Sequence, residues 1–249
     1  MTVLLETRAL QKSFGAVVAA RDISVAARRG ERLGLIGNNG AGKTTFVNMV
    51  TGYIKPDQGR IMLDGQDITD LGPRAVSRQG VSRSFQMPQL FPSLTPEENL
   101  LMALGIARPE ALSSWRPARD RAITAALEDL LGRFRLHDYR DRAIAALPGG
   151  TRKLVDIAMA VTRRPKLLLL DEPTSGVAAE EKFPLMDVVM RALEGGEVTV
   201  LFVEHDMEIV GRYAERVLAF YDGRIIADDV PAKVLGNPEV QRYVTGVAP

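Results

Sequence analysis

Three short apolar runs interrupt an otherwise mixed pattern of hydrophobic and polar positions, and each ends in residues that carry chemistry. "GERLGLIGNNG" passes from charge into an apolar run and then into glycine, which predicts a buried strand opening into a loop. "KLLLLDEP" and "VTVLFVEHD" predict two further strands. Apolar on both faces, such strands suit the middle of a parallel sheet covered by helices. "TTFVNMVTGYI" follows the first loop as a helix, with Phe46, Val47 and Val50 at helical spacing and Gly52 where the helix stops.

From Pro88 to about Pro165 the β-branched runs give way to Ala, Leu and Arg. "ITAALEDLLGRF" and "RKLVDIAMAVTRR" carry helical periodicity, with Leu154, Ile157, Ala158 and Val161 on one face. This predicts a helical subdomain, 88–165, inserted into a sheet-bearing core made of 1–87 and 166–249. The tail, "YDGRIIADDVPAKVLGNPEVQRYV", reads as a β-turn hairpin followed by short helices.

Composition narrows the chemistry more than the fold. A length of 249 residues is enough for one large α/β domain with a subdomain. The net charge of +1 gives no global reason to expect nucleic acid. With no cysteine and only His137 and His205, thiolate and histidine-rich metal sites are excluded. No apolar run approaches the roughly 20 residues that span a bilayer, and the N-terminus does not read as a signal peptide. The expectation is a cytoplasmic chain whose membrane role, if any, comes through a partner.

Gly37, Asn38, Asn39, Gly40, Ala41, Gly42, Lys43 and Thr44 satisfy G-x-x-x-x-G-K-[ST] between a predicted strand and a predicted helix, with Thr45 next in line as a further nucleotide-binding candidate. Glycine lets backbone N–H groups point at phosphate oxygens without a Cβ in the way, and the helix N-terminus adds partial positive charge. Lys43 suits the β- and γ-phosphates, and the Thr44 hydroxyl suits Mg²⁺. The strand "LLLLDEP" delivers Asp171 to the same sheet edge, where it can hold Mg²⁺ through water. Glu172 follows, able to orient or deprotonate an attacking water. The loop and the carboxylates imply binding and hydrolysis of a nucleoside triphosphate.

Four further stretches stand in order around these motifs: "KSFGAVVAARDISV" with Phe14, "SRSFQMPQLFP" with Gln86, "ALPGGTRKLVDIAMA", and "LFVEHD" ending in His205. With them the chain resembles the ATP-binding subunits of ABC transporters over essentially its whole length. The resemblance implies an α/β P-loop core with a mostly parallel sheet, an N-terminal antiparallel β part and an inserted α-helical subdomain. It implies that Phe14 stacks on adenine, that Gln86 senses Mg²⁺ and the γ-phosphate, and that His205 contacts the γ-phosphate. It further implies integral membrane permease subunits as partners, a second ATP-binding subunit, and a peripheral position on the cytoplasmic face of the inner membrane. "SRSFQMPQLFPSLTPEENLLMA", "VEHDM" and "NPEVQRYVTG" resemble the subunits of branched-chain or hydrophobic amino acid importers, which work with a periplasmic solute-binding protein. A lipopolysaccharide-export ATPase has a similar layout, and a soluble ABC ATPase without a transport role is the alternative from another class.

Two departures from the family pattern stand out. Its Leu-Ser-Gly-Gly-Gln signature is here Leu147-Pro148-Gly149-Gly150-Thr151, so the hydroxyl donor to the partner's γ-phosphate is gone while the Gly149 and Gly150 amides remain. Ala178 stands where the family usually has Asp. Both positions face the partner's site by resemblance, which leaves open an asymmetric heterodimer or a tolerated variant in a symmetric dimer. Met87, Leu90, Phe91 and Leu94 lie in a stretch where Pro88, Pro92 and Pro96 break any helix, and they read as a docking surface for a membrane subunit.

Overall fold

The computed structural model describes residues 2–107, 121–195 and 197–246, and these fall into two compact units. The first comprises the chain up to Arg83, Lys166–Glu172 and the chain from Glu197 onward. The second comprises Ser84–Pro165 and Pro173–Gly196.

The first unit carries two sheets. An antiparallel sheet is built from β1 (Val3–Phe14), β2 (Val17–Arg28), β4 (Gln58–Leu63) and β5 (Gln66–Asp67) in the order β2-β1-β4-β5. The second sheet runs β10-β9-β3-β8-β7-β6. Its members are β3 (Arg32–Gly37), β6 (Val81–Ser84), β7 (Leu167–Asp171), β8 (Thr199–Val203), β9 (Arg216–Tyr221) and β10 (Arg224–Asp229). β3 pairs in parallel with both β8 and β9, and β7 pairs in parallel with β8. The three apolar runs of the sequence are therefore parallel neighbours at the centre of this sheet, whose edge strand β10 pairs antiparallel with β9.

Burial explains why those runs need no alternation. Leu167, Leu168, Leu169 and Leu170 are all at most 1% exposed, so both faces of β7 are covered. Each such leucine contributes about 1.5–3 kcal/mol relative to an exposed one. Helix α1 (Lys43–Val50) covers one face, and its Phe46 ring lies 5.6 Å from that of Phe220 on β9. Gly34 in β3 leaves room for the helix α7 (Met207–Tyr213), since a Cβ there would sit 3.2 Å from Val210 Cγ1. The tail forms β9 and β10, then α8 (Pro231–Leu235) and α9 (Pro238–Val240), the hairpin and short helices its pattern predicts. The short helix α2 (Pro73–Arg78) also belongs to this unit.

The helical unit holds α3 (Pro96–Ala107), α4 (Arg121–Arg133), α5 (Gly149–Val161) and α6 (Ala179–Leu193). It takes in more chain than the 88–165 expected from composition. Helix α6 packs on α5 and α4, and the Arg133 guanidinium donates to the Ala192 carbonyl, so 173–196 belongs with these helices. The expected core face of α5 is also too narrow. Leu154 is only half-buried, while Thr151, Lys153, Val155 and Asp156 are buried beside Ile157, Ala158 and Val161. Pro96 likewise opens a helix where the sequence predicts only interruption. It is the first residue of α3, behind a capping box in which Thr95 Oγ1 accepts from Glu98 N–H and Glu98 Oε2 accepts from Thr95 N–H.

Candidate functional site

Parallel pairing places the C-terminal ends of β3, β7 and β8 at one sheet edge, because Leu35 and Asp171 are both in register with Val203. The phosphate-loop residues Gly37–Thr44 therefore start where Asp171, Glu172 and His205 end their strands. All of these residues lie in the first unit.

The loop accepts glycine alone at two points. Gly37 has φ +152° and Gly42 φ +104°, and a Cβ on either would lie 2.5 Å from a carbonyl oxygen, of Phe220 and Ala19 respectively. Gly40, at φ +81°, faces open space. Helix α1 starts directly after Gly42 with no side-chain cap and no acid in its first turn. Its first amides have no intrahelical partner, which makes the end an anion site. Lys43 is buried, and its Nζ donates to the carbonyls of Gly37 at 2.6 Å and Asn38 at 3.1 Å. Burial pushes its pKa down, while the charges of Glu172 and Asp171 act the other way. A loop that needs glycine at two points, uncapped amides and a buried lysine fit a triphosphate. Thr44 is exposed and Thr45 half-buried at the head of the helix.

Glu172 stands in the left-handed region at φ +47°, held by its N–H donating to Val203 O at 3.0 Å. Its Oε1 lies 3.0 Å from His205 Nε2. His205 is fixed between the end of β8 and α7, whose N-cap Asp206 accepts from the N–H groups of Glu208 and Ile209. Phe14, at the end of β1, is 50% exposed, with Lys12 Nζ 5.7 Å from its ring centroid.

The remaining expected site residues lie in the helical unit. Gln86 is exposed, and its backbone carbonyl accepts from Lys153 Nζ at 2.5 Å, as does that of Phe85 at 3.0 Å. Asp156, one turn along α5, accepts from Ser84 Oγ at 2.5 Å and from Gln89 N–H at 3.0 Å. Burial pushes the Asp156 carboxyl up, against its hydrogen bonds and Lys153. Pro148 is the N-cap of α5, followed by Gly149 and Gly150 in its first turn. A Cβ on Gly149 would lie 3.3 Å from Gly176 O.

Several contacts have no counterpart in the sequence reading. Arg83 donates from Nη2 to Asp171 Oδ2 at 2.5 Å and from Nη1 to Asn48 Oδ1 at 2.6 Å. Asn38 Nδ2 donates to Tyr243 O at 2.6 Å, and the Tyr221 and Tyr243 rings stack 4.5 Å apart, so the tail lies against the phosphate loop. Lys153 and Asp156 look like the polar side of an amphipathic helix until the chain is folded. The one available signal was an arginine three residues before Gln86.

A glycine loop running from a central parallel strand into an uncapped helix, next to a strand ending in paired carboxylates, defines the P-loop class of nucleotide-hydrolysing proteins. Within that class the chain belongs to the ABC transporter family, whose model matches residues 20–175. It is 32% identical to the high-affinity branched-chain amino acid transport ATP-binding protein BraF of Pseudomonas aeruginosa and 33% identical to LivG of Escherichia coli K12, in each case over 98% of both chains. Among solved structures it resembles the ADP conformation of an ATP-binding cassette of an ABC transporter, with TM-score 0.85 and 31% identity over 97% of this chain and 98% of that one. A nucleotide-free cassette matches with TM-score 0.82 and 32% identity, over 96% and 97%. The chain is thus a nucleotide-binding ABC ATPase and the ATP-binding subunit of a transporter. No helix among the described residues is long and apolar enough to cross a membrane.

Proposed function

We propose that this chain is the motor subunit of an importer for branched-chain or similar hydrophobic amino acids. The observation that carries the solute class is full-length similarity to BraF and LivG, over 98% of this chain and of each relative.

In this reading ATP lies along the phosphate loop, with adenine on the exposed Phe14 ring. The Gly37, Asn38, Asn39, Gly40, Ala41 and Gly42 backbone and the α1 amides hold the phosphates. Lys43 turns from its carbonyl acceptors to the β- and γ-phosphates. Thr44 and Asp171 would hold Mg²⁺ through hard oxygen donors, and the ion would offset phosphate charge. Glu172 orients and deprotonates the attacking water, and the 3.0 Å contact aligns it with His205, which faces the γ-phosphate. Pro148, Gly149 and Gly150 cover the nucleotide of a second ATP-binding subunit across a dimer interface. Closure of that dimer moves permease subunits docked on Met87 and Phe91, from the cytoplasmic face of the inner membrane. A periplasmic solute-binding protein supplies the cargo, and nucleic acid has no part.

The test is ATP hydrolysis by the assembled complex in proteoliposomes containing its binding protein. Leucine, isoleucine or valine should stimulate turnover; failure of every hydrophobic amino acid to do so rejects the solute class. Lys43→Ala should remove ATP binding in a direct titration, and unchanged affinity would reject the phosphate-loop assignment independently.

A further inference from the structure

Asp171 ends β7 directly after four buried leucines, and its side chain is only 14% exposed. A carboxylate that far out of water is costly unless it is paired. Its partner is Arg83, whose own side chain is 9% exposed. The guanidinium is forked: one nitrogen goes to Asp171 and the other to Asn48 on α1, the helix that starts with Lys43. Planar, doubly hydrogen-bonded geometry is the use for which arginine is suited and lysine is not. Lys43 meanwhile donates to two carbonyls, and Asp171 and Glu172 reach it only through their fields. The site thus contains two cations and keeps the one that must meet phosphate off the carboxylates.

We infer that Arg83 is a positioning residue of the ATP site, which holds the Asp171 carboxylate and so keeps Lys43 available to the nucleotide phosphates. This rests on the phosphate-loop reading above. Without Arg83, the buried Asp171 charge draws on Lys43, the cation it already acts upon. Incoming phosphate must then break that pair, and nucleotide affinity falls even where no metal is present. The effect is indirect, so removing the Asp171 charge should cancel it.

The experiment is equilibrium titration of the full chain with a fluorescent N-methylanthraniloyl-ATP in EDTA, which separates phosphate binding from metal binding. Arg83→Met should weaken binding by about tenfold, the scale of one charge-assisted hydrogen bond. Arg83→Lys should recover part of the loss, since it restores charge without the fork. Arg83→Met combined with Asp171→Asn should bind as tightly as Asp171→Asn alone. Asn48→Ala, which removes only one arm of the fork, should weaken binding less than Arg83→Met and serves if that variant does not fold. Wild-type affinity in both Arg83→Met and Asn48→Ala overturns the inference. So does a double variant as weak as Arg83→Met, because a merely structural arginine would not be rescued by neutralising its partner. Failure of the wild-type chain to bind the probe, with Lys43→Ala no different, rejects the phosphate-loop reading instead.

Discussion

Glu172 occupies left-handed backbone at φ +47°, a conformation costing a non-glycine residue on the order of 1–3 kcal/mol. The chain maintains it with the Val203 hydrogen bond and the pairing of β7 with β8, which leaves the carboxylate beside His205. Glu172→Gln keeps shape and hydrogen bonding but removes basicity, so it should bind ATP normally and hydrolyse it at least ~10²-fold more slowly. Single-turnover hydrolysis checks this, and a normal rate would reassign the base. Asp156 offers a test by pH. Its carboxyl is raised by burial, so the folded state favours the protonated form. That preference stabilises the fold below the ordinary carboxylate pKa and is lost as pH rises through the higher folded value. Asp156→Asn imitates the protonated acid, with Ser84 reversing its hydroxyl to accept. It should match wild type in acid and become the more stable protein as pH rises toward neutral, in urea unfolding across pH 4–8.

At the scale of elements, the two departures from the family signature both fall at helix starts. Pro148 is the N-cap of α5 and Ala178 the N-cap of α6, and neither provides a side-chain cap. Ala178 already has extended backbone, φ −58° and ψ 145°, which an N-cap aspartate adopts without strain. Ala178→Asp should therefore add about 1 kcal/mol of stability, partly offset by Glu180 and Glu181 in the same turn, read as a higher urea midpoint with unchanged m. α3 shows the converse. Its capping box, Thr95 to Glu98 around Pro96, is present in the sequence as T-P-E-E and could have been read as a helix start.

For the whole molecule, the question is which surface meets the membrane subunits. Met87 is 77% exposed and Phe91 47%, on a loop that Asn99 stiffens by accepting from Phe91 N–H at 2.9 Å. A held loop presenting two large apolar side chains is suited to docking. Phe91→Asp should leave folding and ATP binding unchanged and abolish recovery of the permease subunits in a membrane pull-down. Undiminished recovery would place the docking surface elsewhere. The parallel core strands, the glycine loop between β3 and α1 and the carboxylates at the end of β7 are legible in the sequence, because they are written in contiguous residues with local periodicity or fixed spacing. Folding alone brings Arg83 between Asn48 and Asp171, ties α5 to the Gln86 segment through Lys153 and Asp156, lays Tyr243 on Asn38 and groups 173–196 with the helical unit. Each joins residues far apart in the chain through a charge or a carbonyl. Local patterning records which side chains avoid water, but not which distant partner makes a buried charge tolerable.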